Sequence, residues 1–302
     1  MNQDPFPPES TTPAAPLDEA ALLVKARAVF ADKEQERGTP EAPAQEGFLA
    51  LARAGKEVWN TWRKAYPEPT ADFSGVNFEG TAAIDFSGFY FAGSHGNKTE
   101  RDIVFCVDFS RCHFGGEARF VGAQFGKIAS FNNAIFSHGA NFTKSQFSGV
   151  AQFKNVQFKD WANFDGVQFG IHAIFVGARF HWVASFKGSQ FGDVASFDGV
   201  QFGELASFDG AQFCHQANFL GTQFGDGASF AGAQFGDGAR FCGAQFGKGA
   251  SFEAWNLTRI QQTWERRMGT QEAHQRDEYA NAQGLRSDAF NNISFRGVQF
   301  EG

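Results

Sequence analysis

Residues 206–216 read ASFDGAQFCHQ, and this unit of eleven residues repeats along most of the chain. It has a small residue two places before each Phe, a Gly two places after the first Phe and a Gln directly before the second. The first Phe recurs every eleven residues from Phe109 to Phe252, and a second series runs from Phe114 to Phe246. This repetition accounts for 39 Phe and 35 Gly among 302 residues and predicts one structural unit used many times.

The distance between consecutive Phe residues alternates between five and six positions. That spacing fits neither a helix of 3.6 residues per turn nor a long alternating strand, but it is typical of very short extended segments closed by turns. In such a segment the small residue and the Phe point inward, and the residue between them meets solvent. The Gly after the first Phe, as at Gly166, Gly188 and Gly210, stands where a type II turn needs a positive φ.

Small-x-Phe units with turn glycines resemble the bacterial pentapeptide-repeat family over about residues 73–252 and again over 290–300. The resemblance implies an all-β solenoid, a right-handed quadrilateral β-helix with four units per coil. Here alternate units carry a sixth residue, so four faces would use 22 residues per coil. The alternative is a flat, two-sided solenoid with eleven residues per coil, which would leave little room for paired rings.

Stacked coils place like residues above like, so both Phe series are predicted to form interior columns flanked by the small residues. Truncating one such Phe to Ala is expected to cost about 3 to 5 kcal/mol. The structural core residues that we single out are Phe197, Phe202, Phe208, Phe213, Phe219, Phe224, Phe230 and Phe235.

The outer faces are predicted to carry columns of one residue type. Gln precedes the second Phe at ten positions from Gln124 to Gln245, and Ser or Asn usually precedes the first Phe. Amides stacked at strand spacing can hydrogen-bond along the column, which would rigidify and solvate the faces. A flat polar platform for a partner, including ice or a glycan, is the functional alternative.

Charge bears on one function that the resemblance implies. Some pentapeptide-repeat proteins imitate B-form DNA and bind DNA gyrase, which requires a sustained negative field along the rod. Between residues 105 and 252 ten acidic residues are balanced by ten basic ones, so the rod is neutral overall. Only its later half is acidic and its earlier half is net positive, and such a bipolar rod is a poor duplex mimic. The acids of its later part stand without any Lys or Arg among them and are candidate interaction residues: Asp193, Asp198, Glu204, Asp209, Asp226 and Asp237.

Several classes of protein are excluded by composition. No run of eighteen apolar residues occurs and the start is acidic and proline-rich, so neither a membrane span nor a signal peptide is expected. The four cysteines form no CxxC pair, which favours a reducing cytoplasm. The net charge of −7 argues against direct binding of nucleic acid.

No catalytic, cofactor-binding or metal-binding constellation is predicted. Asp193, His215 and Asp237 are the one His and carboxylate alignment, because they share a column in a coil of 22 residues. A straight column offers diverging side chains, whereas a metal needs converging ligands with supporting neighbours. No Ser-His-Asp order, Walker loop or HExxH motif occurs, so an enzyme is not expected.

The ends of a β-helix expose unpaired backbone that must be covered. Residues 1–16 are predicted to be a disordered tail and residues 17–69 a helical cap with one helix over 18–36 and another over 45–65. The second helix carries an apolar stripe that includes Phe48, Leu51, Trp59 and Trp62. This stripe either packs on the first coil or docks another protein. The repeat itself is assigned to residues 70–252.

The repeat stops after Phe252 and resumes at Phe290, Phe295 and Phe300. Residues 253–289 are predicted to be a helical insertion with Trp255 and Trp264 as candidate interaction residues, and residues 290–302 a terminal coil. Family members use such elements for binding or dimerisation, so a homodimer is a candidate assembly. The incomplete last coil suggests that the natural chain is longer.

The leading hypothesis is a cytoplasmic, non-enzymatic interaction scaffold without cofactor, whose protein partner is unknown. Specificity is expected to lie in the N-terminal helices and the insertion. Modulation of DNA gyrase or another topoisomerase by DNA mimicry is the alternative.

Overall fold

The computed structural model describes residues 18–31, 33–79, 83–92, 106–252 and 298–300. These residues form a parallel β-solenoid of about six turns, preceded by four helices. The predicted tail, the insertion at 253–289, Phe290 and Phe295 lie outside the described residues, as do Trp255 and Trp264.

Four parallel sheets form the four sides, and we name them A to D. Sheet A contains β1 (Ala71–Asp72), β3 (Val107–Asp108), β7 (Ile128–Ser130), β11 (Val150–Gln152) and β15 (His172–Ile174). Sheet B contains β4 (His113–Phe114), β8 (Ile135–Phe136), β12 (Gln157–Phe158), β16 (Arg179–Phe180), β19 (Gln201–Phe202), β21 (Gln223–Phe224), β23 (Gln245–Phe246) and β24 (Gln299–Phe300).

Sheet C contains β2 (Ala83–Asp85), β5 (Glu117–Arg119), β9 (Ala140–Asn141), β13 (Ala162–Asn163) and β17 (Ala184–Ser185). Sheet D contains β6 (Gln124–Phe125), β10 (Gln146–Phe147), β14 (Gln168–Phe169), β18 (Gln190–Phe191), β20 (Gln212–Phe213) and β22 (Gln234–Phe235). The chain visits the sheets in the order A, B, C, D and then starts the next coil.

The register confirms the predicted coil of 22 residues. Gln146 pairs with Gln168, and Phe147 with Phe169. Beyond β15 and β17, sheets A and C continue as single bridges, such as Ser196↔Asn218 and Ser207↔Ser229. The resumed repeat rejoins the solenoid, because Phe300 pairs with Phe246. The two-sided coil of eleven residues is therefore excluded.

Both Phe series enter one interior. Phe197, Phe208, Phe219 and Phe230 are fully buried, while Phe202, Phe213 and Phe224 are at most 5% exposed; Phe235 is only partly buried and packs against this core. Rings one coil apart stack in parallel, as Phe175 and Phe197 do with centroids 5.0 Å apart and planes at 3°. Rings of different columns meet edge to face, as Phe186 and Phe197 do at 5.8 Å and 89°. Both arrangements suit the quadrupole of the aromatic ring.

The tight turns after the first Phe series have the predicted geometry. Gly166, Gly188 and Gly210 have φ of 64°, 62° and 65°. The backbone N–H three residues after the Phe closes each turn, as when the Ala211 N–H donates to the Phe208 carbonyl over 3.0 Å. The type II turn therefore forms the corners between sheets A and B and between sheets C and D.

The N-terminal helices are more divided than the sequence suggested. They are α1 (Glu19–Ala31), α2 (Glu34–Arg37), α3 (Gln45–Arg53) and α4 (Lys56–Ala65). The single helix expected over 45–65 is wrong, because Gly55 has φ of 100° and separates α3 from α4. This break lets the two halves of the apolar stripe turn toward the same coil.

The apolar stripe of the helices closes the N-terminal end of the solenoid. Trp59 and Trp62 are fully buried, and the Trp59 ring lies 5.8 Å from that of Phe73. Trp59 Nε1 also donates to the Tyr90 carbonyl over 3.0 Å. These aromatic residues are thus core residues of the cap and are not accessible for docking a partner.

Arg63 joins the cap to the first coils through a buried guanidinium. It donates to the carbonyls of Pro69, Phe91 and Cys106, the last over 3.1 Å. Burial lowers the pKa of Arg63 to about 10. One charged side chain therefore supplies donors to three carbonyls where the cap meets the first coils, of which the Cys106 carbonyl also accepts from the Ala71 N–H over 3.1 Å.

Candidate interaction surfaces of the rod

The Gln columns lie on the outside of sheets B and D. In sheet D the column is continuous, with exposed amides at Gln124, Gln146, Gln168, Gln190, Gln212 and Gln234. In sheet B the equivalent column is interrupted by His113, Ile135 and Arg179. Among the described residues, no hydrogen bond joins the Gln amides of the sheet D column to one another. The expected amide ladder is therefore not formed, and these amides face solvent.

Side chains at the turns, by contrast, bond from one coil to the next. The Asn132 side chain donates to Gln152 Oε1 over 2.7 Å and accepts from the Lys154 backbone N–H over 3.0 Å. In the next units along the rod carboxylates take the same role, and Asp165 Oδ1 accepts from the backbone N–H of Lys187 over 2.9 Å. Each such bond ties a turn to the backbone one coil further on.

Three of the six acidic candidates accept inter-coil bonds of this kind. Asp193 Oδ1 accepts from the His215 N–H over 3.1 Å, Asp209 Oδ1 from the Ala231 N–H over 3.0 Å, and Asp226 Oδ1 from the Lys248 N–H over 2.8 Å. Glu204 is exposed, and Asp237 is exposed at the opposite corner. The six acids therefore surround the rod instead of lining one face.

Two of these carboxyl groups have shifted pKa values of opposite sign. The backbone N–H and then the ring of His215 hold the pKa of the Asp193 carboxyl below its usual value. Burial raises the pKa of the Asp198 carboxyl. This effect is larger than the lowering of its pKa by hydrogen bonds from the Leu220 backbone and from Ser196. Asp198 Oδ1 is buried without a hydrogen-bond partner.

In the column of Asp193, His215 and Asp237, the first two side chains form an ion pair. His215 Nδ1 lies 3.0 Å from Asp193 Oδ1 on the exposed surface. Within the described ranges no group of three His, Cys, Asp or Glu side chains could hold a metal ion. The column serves to connect coils.

The buried Cys112 is a poor nucleophile. Cys112 donates its thiol to the Phe73 carbonyl over 2.9 Å, and burial raises its pKa to about 12. Cys106 is also buried, while Cys214 is exposed and Cys242 half-buried; all four are free thiols. Since the thiolate is the reactive form, Cys112 stays inert at neutral pH.

The six-residue units form wide corners, and these carry the apolar side chains that sequence reasoning missed. On the corner between sheets B and C, Trp182 is 64% exposed and Leu205 58%; on the corner between sheets D and A, Ile171 is 57% exposed. The signal in the sequence is a large apolar residue at a corner position where other coils have Gly, Asp or Lys. A surface cavity of about 400 Å³ lies at the start of the B–C corner beside Trp161.

None of the described helices combines the length and apolar character that crossing a bilayer would require.

The family model of pentapeptide repeats (9 copies) matches residues 105–146, 131–171, 175–219 and 214–256. The chain therefore belongs to the pentapeptide-repeat family. A search of curated proteins and a search of solved structures gave no match.

Proposed function

We propose that the protein is a non-enzymatic interaction scaffold whose binding surfaces lie on the sides and edges of the rod. The observation that carries the proposal is the sheet D column of six exposed Gln side chains at strand spacing. Their amides are unengaged with one another, so each retains a donor and an acceptor for a partner.

The interior supports a structural rather than a catalytic role for most of the chain. Stacked Phe rings occupy the space between the four sheets along the described coils. A partner must therefore bind outside, where rigid coils hold exposed side chains at fixed intervals. The free thiols favour a reducing compartment, consistent with the cytoplasm.

The positions of the acids argue against DNA mimicry as the function. A duplex mimic needs carboxylates repeated along the whole rod, but the coils before Asp193 carry Lys144, Lys154 and Lys187. In a supercoiling assay with purified DNA gyrase we expect no inhibition at micromolar protein. Inhibition at that concentration would favour the mimic.

Site-specific photo-crosslinking tests the scaffold proposal. A benzophenone amino acid is placed at Gln168 or Gln190 on sheet D, at Gln201 on sheet B, or at Val24 on the exposed side of α1. We expect discrete protein adducts from the Gln positions that unlabelled protein competes away. Adducts only from Val24 would assign binding to the helices, and no competable adduct from any position would contradict the scaffold.

A further inference from the structure

We propose that the B–C corner around Trp182 is a docking site for a protein segment that carries Arg or Lys next to an apolar side chain. The proposal rests on the scaffold function and names the chemistry of one partner. It differs from the Gln faces in location, because the corner lies between sheets B and C.

The corner exposes apolar surface that the fold does not use. Trp161, one coil earlier, lies against Gly139, where an added Cβ would come 2.1 Å from the indole. Leu205 leans over Gly227 in the same way, and its side chain would lie 2.7 Å from a Cβ added there. Trp182 has no such cover and leaves most of its ring in solvent. An exposed Trp beside an exposed Leu is typical of a binding site.

Acidic residues precede and follow Trp182 in its column. Asp160, Trp182, Glu204 and Asp226 occupy one column at successive coils, spaced by about 4.8 Å. Asp160 uses Oδ1 to accept from the Trp161 N–H and Asp226 uses Oδ1 to accept from the Lys248 N–H, each over 2.8 Å. The second oxygen of each carboxylate makes no bond within the described part of the chain, and Glu204 makes none with either oxygen.

The surrounding charges fix where the cations of the partner would lie. Lys159, Arg179 and His181 border the Trp182 side of the corner, and Lys248 lies beyond Asp226. Between Asp193 and Asp237 there is neither Lys nor Arg. Cationic side chains of the partner are therefore directed to Glu204 beside Trp182 and to Asp226, and its apolar side chain to the exposed Leu205.

Trp is the best aromatic receptor for a cation, and Glu204 follows Trp182 in the same column. Arg suits the site because its planar guanidinium stacks on an indole and bonds a carboxylate with two parallel N–H groups. The opposite D–A corner lacks this combination. Ile171 is exposed there, but the neighbouring Asp193 is already paired with His215.

The test uses a short synthetic peptide that alternates Arg and Leu between Gly residues, with two control peptides that replace Arg by Glu or Leu by Ser. Binding to the full chain is measured by isothermal titration calorimetry at several salt concentrations. Trp182→Gln is compared with Ile171→Gln, an equally exposed apolar residue on the other wide corner. Glu204→Gln is compared with Asp209→Asn, which removes one charge from the same coil at a different corner.

We expect Trp182→Gln to weaken binding at least tenfold and Ile171→Gln to leave it within twofold. Glu204→Gln should weaken binding several-fold and reduce its salt dependence, and both control peptides should bind more weakly. Equal binding to all four variants, or equal binding of the Glu peptide, would overturn the proposal. Circular dichroism checks that each variant folds. If the crosslinks at the Gln positions are competed away but Trp182→Gln leaves peptide binding unchanged, the docking site is contradicted and the scaffold proposal is retained.

Discussion

The coils before Gly192 and those after it share one interior, but the backbone conformation of their wide corners differs. Before Gly192 the corners lead into strands of sheets A and C, as at β11 (Val150–Gln152). After it the third corner residue is left-handed, with φ of 61° at Val194 and 58° at Leu205, and sheets A and C continue as single bridges. Val150 and Val194 occupy the same column, so one residue type adopts two backbone conformations.

The sites of left-handed backbone also move between the two regions. In the earlier coils non-Gly residues take a positive φ at the tight turns, including Arg111, Asn133 and Lys144. In the later coils those turns have Gly, and the wide corners acquire left-handed residues. A left-handed conformation costs most residues about 1 to 2 kcal/mol. The Phe interior therefore tolerates either corner, and local residues decide which one forms.

The largest expected effect comes from the interior and tests whether it is the same in both regions. Phe142→Ala and Phe208→Ala remove fully buried rings from one column, the first in an earlier coil and the second in a later one. Each should lower the free energy of unfolding by about 3 to 5 kcal/mol. Urea unfolding measures both. A much smaller cost for either would mean that the two regions do not share one core.

Replacing Arg63 should destabilise the first coils, which contact the cap, more than the coils after Gly192. Arg63→Met removes the donor from the Pro69 and Phe91 carbonyls and one of the two donors from the Cys106 carbonyl, so we expect a loss of about 2 to 3 kcal/mol. Hydrogen exchange should accelerate in the first coils and stay unchanged after Gly192. Arg53→Met is the control, because the Arg53 side chain is 67% exposed. Uniform acceleration along the rod would contradict a local role.

Most of this architecture was predictable, and the exceptions have physical causes. The period fixed the coil, the Phe columns and the left-handed turn glycines. It did not predict the left-handed backbone at the wide corners after Gly192, because Val194 and Leu205 stand there and a left-handed residue is usually Gly. Nor did it explain the Gly after the second Phe: a Cβ on Gly192 would lie 2.3 Å from the Gly170 carbonyl oxygen of the preceding coil.

The candidate surfaces were less predictable than the fold. The Gln columns followed from the register, but their lack of mutual hydrogen bonds depends on side-chain orientation. The acids stood out by charge, yet the bonds of Asp193, Asp209 and Asp226 to the next coil follow from turn geometry. Trp182 stands at a corner position where other coils have Gly, Asp or Lys, but the sequence does not say whether such a side chain is buried, and the structure shows that it is exposed.

A matched pair of glycine substitutions tests the corner comparison directly. Val194→Gly should stabilise the protein by about 1 kcal/mol, because Gly accepts a positive φ without the penalty of a β-branched side chain. Val150→Gly should destabilise it by about 1 kcal/mol, because Gly weakens a strand. Thermal and urea unfolding measure the two signs. Effects of the same sign would show that the corners do not differ.

The smallest expected effect is the pH dependence of stability that Asp193 contributes in the later coils. Because the pKa of Asp193 is lower in the folded protein than in the unfolded chain, its carboxylate stabilises the fold at neutral pH, and this contribution disappears as the pH falls through and below 3.8. Asp193→Asn should flatten the loss of stability on acidification. In the earlier coils the column of Asp193 carries Lys127, Gly149 and Ile171, none of which has a carboxylate.

Asp198 should behave in the opposite sense. Since burial raises the pKa of its carboxyl, the ionised form opposes folding at neutral pH, and this penalty vanishes as the pH falls. Asp198→Asn should therefore stabilise the protein slightly at neutral pH and leave it unchanged in acid. Urea midpoints at several pH values check both variants. A destabilised Asp198→Asn protein at neutral pH would reverse this assignment.

The distance between spin labels on Gln124 and Gln234 tests the four-sided coil most directly. The two residues are five coils apart in sheet D. The structure predicts a backbone separation of about 24 Å at a strand spacing of about 4.8 Å. Double electron–electron resonance should give a distance near this value once the label linkers are included. A distance near about 48 Å, which a coil of eleven residues requires at the same spacing, would contradict the account.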